Sequence, residues 1–322
     1  MSRYLVTGGA GFIGSHITGA LAARGDSVRV LDSLVTGRLD NLAALETGEL
    51  GSGAPVEVLE GDVRDAAAVA QACEGVDGVF HEAAQVSVPQ SIEDPVASYE
   101  VNVTGTLRVL EGARHAGVER VLFAASSAAY GNSPDLPKLE SMLPEPLSPY
   151  ASGKVAAEHL LAVYGSSFGM RTVGLRYFNV FGPRQVDDSP YTGVIAIFAK
   201  ALIEGRRPTI FGDGEQTRDF NYVDNVVAAN LAAMDRAATD VPPGTLMNVG
   251  CGTTITLNEL FRAIAEHLGS DLEPTYAEPR AGDVRHSSAS LERVRALLDY
   301  DPVVDWKTGL ARTVDWYRER LG

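Results

Sequence analysis

Through the first half of the chain, short apolar runs rich in β-branched residues alternate with longer segments whose apolar positions recur every three or four residues. The runs at 3–7, 27–31, 56–60, 77–81, 119–125 and 171–176 predict strands, and the periodic segments 12–24, 65–73, 96–116 and 150–167 predict helices between them. Strand–helix alternation of this kind implies an α/β fold with a parallel sheet wound on both faces. The stretch 132–149 is rich in Pro, Ser and Glu and reads as a surface loop before a helix. After about residue 177 the alternation weakens. Gly182-Pro183, Ser189-Pro190, Pro208 and Gly212-Asp213-Gly214 break the chain into loops, with helices expected at 193–204, 223–236, 256–268 and 306–320. The division that follows is an α/β domain over 1–176 and a smaller lobe over 177–322, some of whose segments return to the first domain.

Composition narrows the classes of partner. The 322 residues are 45% hydrophobic and 21% charged, an ordinary globular balance. The net charge of -15 makes nucleic acid and anionic membranes poor partners, so an anionic substrate would need the few basic residues gathered locally. Two cysteines, Cys73 and Cys251, offer no disulfide framework and no zinc pattern. The chain opens on a strand, Arg3-Tyr4-Leu5-Val6, with no signal-peptide core, and no apolar run reaches the roughly 18 residues of a membrane span; a cytoplasmic protein is expected. Asn102-Val103-Thr104 matches a glycosylation sequon that is inert without secretion. His81-Glu82 begins like a zincin motif, but Gln85 stands where the second histidine would be, and no metal site is expected.

The first chemical motif is Thr7-Gly8-Gly9-Ala10-Gly11-Phe12-Ile13-Gly14, between the first strand and the first helix. Glycines at 8, 11 and 14 allow a tight turn and close backbone approach to a pyrophosphate, which the helix N-terminus attracts with unpaired N–H groups and its positive dipole end. Asp32 closes the second strand. A carboxylate there accepts the hydroxyls of an adenosine ribose and repels a 2′-phosphate, so NAD is favoured over NADP. The motif and its setting imply a Rossmann-type doubly wound parallel sheet with a smaller C-terminal substrate lobe.

The spacing Gly-x-x-Gly-x-x-Gly resembles that of the extended short-chain dehydrogenase/reductase family, in its NAD-dependent epimerase/dehydratase group. Gly61-Asp62-Val63 resembles the family's adenine-contacting turn. His81-Glu82-Ala83-Ala84, followed by Gln85, resembles the loop under the cofactor, with Glu82 where a hydrophobic residue is more usual. Asn102 stands at the family's helix asparagine. Tyr150-Ala151-Ser152-Gly153-Lys154 opens a helix, and residues at i and i+4 share a helical face. A free tyrosine, with a pKa of about 10, is a poor base at neutral pH, and lowering it by roughly 3 units takes about 4 kcal/mol. A neighbouring ammonium and a bound pyridinium are the expected sources. The third member is a hydroxyl at the end of the preceding strand: within Phe123-Ala124-Ala125-Ser126-Ser127-Ala128-Ala129-Tyr130-Gly131 the resemblance selects Ser126, with Ser127 as second candidate. Related 4,6-dehydratases carry an Asp-Glu pair just before that Tyr-Gly, and related decarboxylases a Glu at the position of Ala128. This chain has Ser127 and Ala128, which disfavours dehydration and decarboxylation.

On the substrate side, Arg176-Tyr177-Phe178-Asn179-Val180-Phe181-Gly182-Pro183-Arg184-Gln185 resembles the family segment entering the substrate lobe, with Asn179 on a diphosphate. Arg218-Asp219-Phe220 and Arg280-Ala281-Gly282-Asp283 resemble the elements that close on a UDP. Arginine forks suit a pyrophosphate. Asp283 is implied on the nucleotide ribose, and Phe211 and Val194 near the uracil. Arg206-Arg207 reads as a solvated helix end. Counting on from Asp283 places Ser287 at the wall beside the sugar 2′ substituent. The resemblance is strongest to UDP-hexose 4-epimerases, of the branch with Ser189-Pro190-Tyr191 through Val194-Ile195. It implies a UDP-sugar substrate, NAD as hydride shuttle, and a homodimer formed by the helices after Val96 and Tyr150. The rivals are a UDP-glucuronate 4-epimerase or an epimerase of another nucleotide sugar, and a non-catalytic dinucleotide-sensing regulator.

Overall fold

The computed structural model describes residues 2–185, 193–237, 240–279 and 285–321. Strands β1 (Arg3–Thr7), β2 (Ser27–Asp32), β3 (Thr47–Glu49), β4 (Val56–Glu60), β5 (Gly78–His81), β6 (Arg120–Ser126) and β7 (Arg171–Tyr177) join a further strand, Thr245–Val249, in one sheet. Its order is Thr245–Val249, β7, β6, β5, β1, β2, β4, β3, and every pair is parallel. The chain runs outward from β1 in one direction and, from β5, in the other. The crevice at the carboxyl ends of β1 and β5 is therefore the switch point where open α/β sheets bind ligands.

Both faces of the sheet are covered, so its central strands are apolar throughout instead of alternating. Helices Phe12–Ala23 and Val223–Arg236 pack together on one face, over Tyr4, Val6, Val30, Phe80, Leu122 and Leu175. Helices Ala66–Cys73, Gly105–His115 and Pro149–Phe168 cover the other, over Leu5, Leu31, Val79, Val121 and Phe123. A third core lies in the C-terminal lobe, where Val194–Ile203, Leu257–Leu268 and Trp306–Leu321 enclose Phe198, Phe261, Ile264 and Val314. No described helix is long and apolar enough to cross a membrane.

The structure departs from the sequence reading in several places. The helix expected over 96–116 is Pro95–Tyr99, a π-helical turn at Glu100–Thr104, and Gly105–His115. The sheet gains Thr245–Val249, and β3 and the helices Val88–Glu93 and Glu292–Leu298 were not anticipated. The expected surface loop 132–149 is partly internal: Lys138 is buried, its N–H donates to Ser288 O (2.8 Å) and its O accepts from Ser290 N (3.0 Å) and Asn248 Nδ2 (2.8 Å). The strand Thr245–Val249 and the burial of Lys138 were decided by contacts distant in sequence, which local hydrophobic pattern does not carry.

Candidate active site

The glycine turn is built for close approach. Gly8 has φ +69° and its N–H donates to Leu31 O at 2.8 Å. A Cβ on Gly8 would lie 2.8 Å from Ala83 N, and one on Gly14 only 2.1 Å from Gly8 O. Helix Phe12–Ala23 starts at Gly11, whose lack of a side chain leaves the first-turn N–H groups without a side-chain cap. Phe12 turns toward the C-terminal core and Ile13 toward the sheet. This cradle, which side chains would fill, fits a dinucleotide pyrophosphate. Asp32 is buried at the end of β2; Oδ2 accepts from Ala10 N and Oδ1 from Leu34 N, both at 2.9 Å. Its carboxylate thus faces the glycine loop. Asp62 is held by Arg64, whose backbone N–H donates to Oδ1 at 2.8 Å and whose guanidinium reaches Oδ2 at 2.7 Å, which keeps the carboxyl below its usual range; the adjoining Val63 is buried.

The floor beneath the loop is fixed by a chain of bonds. Thr106 Oγ1 donates to Asn102 O (2.7 Å), so it accepts from His81 Nε2 (3.0 Å), and His81 Nδ1 accepts from Thr7 Oγ1 (2.7 Å). That network assigns the tautomer. Burial pushes His81 down to about 3, so the imidazole is neutral. Thr7 Oγ1 in turn accepts from Ala83 N at 3.3 Å. Asn102, in the π-helical turn, clamps Gln85: Gln85 N donates to Asn102 Oδ1, and Asn102 Nδ2 to Gln85 O, both at 3.0 Å. The Gln85 amide itself turns away, donating to Ser87 O at 3.0 Å.

Ser126, Tyr150 and Lys154 converge at the carboxyl end of β6. Ser148 caps the helix Pro149–Phe168 by accepting from Ala151 N (3.1 Å), Pro149 stands in its first turn, and Gly169 ends it with φ +69°. Tyr150 and Lys154 therefore share its inner face. The Ser126 side chain faces Tyr150 closely enough to favour the ionised phenol, while Ser127 begins the following turn. Lys154 is buried, donates from Nζ to Ala124 O (2.7 Å), and lies 4.7 Å from the Phe123 ring centre and 5.9 Å from that of Tyr150. Burial draws Lys154 down to about 8 against the opposing pull of Glu82 and Glu158. The chain's own groups leave Tyr150 raised, because burial outweighs the influence of Ser126; the lowering expected from the sequence also called on a bound pyridinium. Below this site, Arg176 forms a buried two-pronged pair with Glu158 (2.8 and 2.7 Å).

In the C-terminal lobe a cavity of about 520 Å³ is lined by Asn179, Val194, Phe211 and Arg218, four residues singled out from the sequence. Lys200 and Gln216 line it as well; sequence reading missed them, although a basic residue in an acidic chain was the available signal for Lys200. Arg206 and Arg207 are exposed, as expected of a helix end, yet both border the cavity. Arg218 NH1 donates to Thr217 O (2.9 Å) and Arg285 O (3.3 Å). Asn179, with φ +28°, donates to Asp219 O (3.1 Å) and stands two residues beyond β7, linking cavity and sheet edge. Ser287 N–H donates to Thr217 O (3.2 Å), so it lies beside the Arg218 strand; it is not among the residues lining the cavity. Arg280 and Asp283 lie outside the described residues.

Residues 4–250 match the model of the family described as NAD dependent epimerase/dehydratase family. The chain belongs to that family. A UDP-glucose 4-epimerase of Mycolicibacterium smegmatis is 41% identical over 320 residues, covering 99% of each chain. Among solved structures of family members, a Thermus thermophilus UDP-glucose 4-epimerase in complex with NAD is 41% identical with a TM-score of 0.86, covering 98% of this chain and 99% of that one. A UDP-N-acetylglucosamine 4-epimerase from Methanobrevibacter ruminantium, in complex with UDP-N-acetylmuramic acid, is 36% identical with a TM-score of 0.91 and covers 99% of each chain.

Proposed function

We propose that this family member is a UDP-hexose 4-epimerase that uses NAD and interconverts UDP-glucose and UDP-galactose through a 4-keto sugar. The observation that carries this reading is the meeting of Ser126, Tyr150 and Lys154 at the sheet edge, in a chain with Ser127 and Ala128 where elimination or decarboxylation would call for carboxylates. NAD, held by the glycine cradle and Asp32, supplies the two-electron acceptor and donor at C4 and a positive ring charge. Tyr150 removes the proton of the sugar 4-hydroxyl, and Ser126 hydrogen-bonds the same oxygen. One donor of Lys154 is fixed on Ala124 O, which leaves two for the Tyr150 side and the cofactor ribose. Because burial raises Tyr150, the ammonium and the bound cofactor together must supply the stabilisation of its phenolate. The 4-keto sugar swings about its diphosphate bonds so that C4 would present its opposite face to the hydride that the cofactor returns, and Tyr150 gives the proton back to the 4-oxygen.

Asn179 and Arg218 hold the diphosphate, with Phe211 and Val194 against the uracil; Arg280 and Asp283 are assigned to closing over the nucleotide. Ser287, a small residue, leaves room for a 2-acetamido group, which extends the substrates to UDP-GlcNAc and UDP-GalNAc. The protein is placed in the cytoplasm, in keeping with the free Cys73 and Cys251. A homodimer is supported by the apolar residues left exposed on the helices Val88–Glu93, Pro95–Tyr99 and Pro149–Phe168: Ile92, Val96, Tyr99, Val163 and Phe168.

The test is conversion of a panel of UDP-sugars without added cofactor, with NMR of the products. UDP-glucose and UDP-galactose should interconvert, and denaturation should release NAD. Turnover of UDP-glucuronate alone would transfer the reading to the glucuronate epimerases, and release of NADP would show Asp32 misread. Light scattering of the purified protein should return twice the chain mass.

A further inference from the structure

We propose that Glu82 is the counter-charge of Lys154, a positioning residue whose carboxylate keeps the buried ammonium protonated and so sets the pH range of the Tyr150–Lys154 pair. The inference rests on the reading of that pair given above. Glu82 follows β5 directly; its N–H donates to Thr7 O (3.2 Å), and its carbonyl carbon is 3.1 Å from where a Cβ on Gly8 would lie. Its backbone is thus part of the floor under the glycine loop. Its side chain is aimed along the carboxyl edge of the sheet. The Tyr177 hydroxyl, at the end of β7, donates to Glu82 Oε1 (2.9 Å) and accepts from Asn230 Nδ2 (2.8 Å). The ends of β5 and β7 flank that of β6, where Ala124 O holds Lys154.

Among the described residues, the charged and titratable groups that face Lys154 are Glu82, Glu158, His81 and Tyr150. Glu158 is neutralised by its two-pronged pair with Arg176. His81 is neutral, with both ring nitrogens bonded to threonines. Glu82 is therefore the carboxylate left to balance the ammonium. The groups that face Glu82 itself are Lys154 and Tyr177. Burial pushes Glu82 up to about 7 and Lys154 down to about 8, and each charge opposes the other's shift. The arrangement also accounts for an acid at a position where the family more usually has an apolar residue.

The test uses the NAD-loaded protein as purified, with lysines carrying carbon-13 at Cε and the Lys154 resonance assigned by Lys154→Met. Glu82→Gln keeps the acceptor for Tyr177 and removes the charge. It should lower the Lys154 titration midpoint by about one pH unit, a tenfold change in proton affinity. The alkaline limb of kcat should move to lower pH by the same amount, with KM for the UDP-sugar unchanged. Tyr177→Phe removes the hydroxyl that steadies the ionised Glu82 carboxyl, and should lower the Lys154 midpoint in the same direction but by less than Glu82→Gln does. Should Glu82→Gln not fold, Glu82→Leu reads the same titration. An unmoved Lys154 midpoint in the neutral variants, or a shift in Tyr177→Phe larger than that in Glu82→Gln, overturns the proposal. Full turnover by Lys154→Met would instead sink the catalytic reading while leaving the Lys154–Glu82 titration result standing.

Discussion

At the carboxyl edge of the main sheet, Ser126, Tyr150 and Lys154 stand on a seven-residue strand and a twenty-residue helix with capped ends. The glycine loop, His81 and Asn102 are tied beneath them by bonds that leave each group one arrangement. In the C-terminal lobe the cavity proposed for the nucleotide is lined by one side of the helix Val194–Ile203 and otherwise from short pieces: Arg218 belongs to a two-residue strand, Phe211 to a three-residue one, and Arg206 and Arg207 are exposed. The first region must hold a proton acceptor within hydrogen-bond reach of one oxygen, which demands rigid supports. The second must admit and close on a flexible nucleotide sugar, and loops on a rigid scaffold do that. Substitutions in the two regions should therefore separate: losses of kcat at the sheet edge, losses of KM or of selectivity in the lobe.

The largest effect is expected from Tyr150→Phe. The ring packing survives, so thermal unfolding and NAD content should be unchanged, while kcat should fall by at least the roughly 10²-fold typical of a lost general base. Near-native turnover would remove Tyr150 from the mechanism. Ser287→Tyr comes next and should act on selectivity alone. Overfilling of this kind costs about 1–3 kcal/mol, roughly a 5- to 150-fold loss in kcat/KM. That loss should fall on UDP-GlcNAc and UDP-GalNAc and spare UDP-glucose; equal losses on both pairs would refute the gate. Arg218→Met should raise KM about tenfold, the size of one charge-assisted contact of about 1.5 kcal/mol, with kcat within twofold or so in steady-state assays. A fall in kcat alone would mean that the two regions are not separable.

A different effect is on stability, and it leaves catalysis at neutral pH untouched. His81 is lowered to about 3 in the folded protein, from the ordinary value of 6.5. Below 6.5 the unfolded chain takes up a proton there that the folded chain does not, so stability present above that pH is lost as pH falls toward 3. The slope approaches about 1.4 kcal/mol per pH unit for one proton. Urea midpoints measured against pH should fall less steeply in His81→Gln than in the unaltered protein. Parallel curves would show that the sheet edge is not closed around a neutral imidazole.

Much of this molecule was determined by sequence alone. Glycines at 8, 11 and 14 after a β-branched run, Asp32 closing the next, and Tyr150 with Lys154 four residues on are local patterns, and local backbone geometry suffices to give them meaning. The strands β1, β2 and β4 to β7 and the long helices were legible for the same reason. What only the tertiary structure decided depends on residues far apart in the chain. Thr245–Val249 is a strand of the main sheet because it lies against β7. Lys138 is buried because Asn248, Ser288 and Ser290 meet its backbone. The π-helical turn that presents Asn102 to Gln85 leaves no mark in the periodicity of 96–116. Charge behaves the same way. A tyrosine and a lysine one helical turn apart suggest a lowered phenol, yet Tyr150 is raised, because desolvation is set by everything packed around a group and not by its neighbours in sequence.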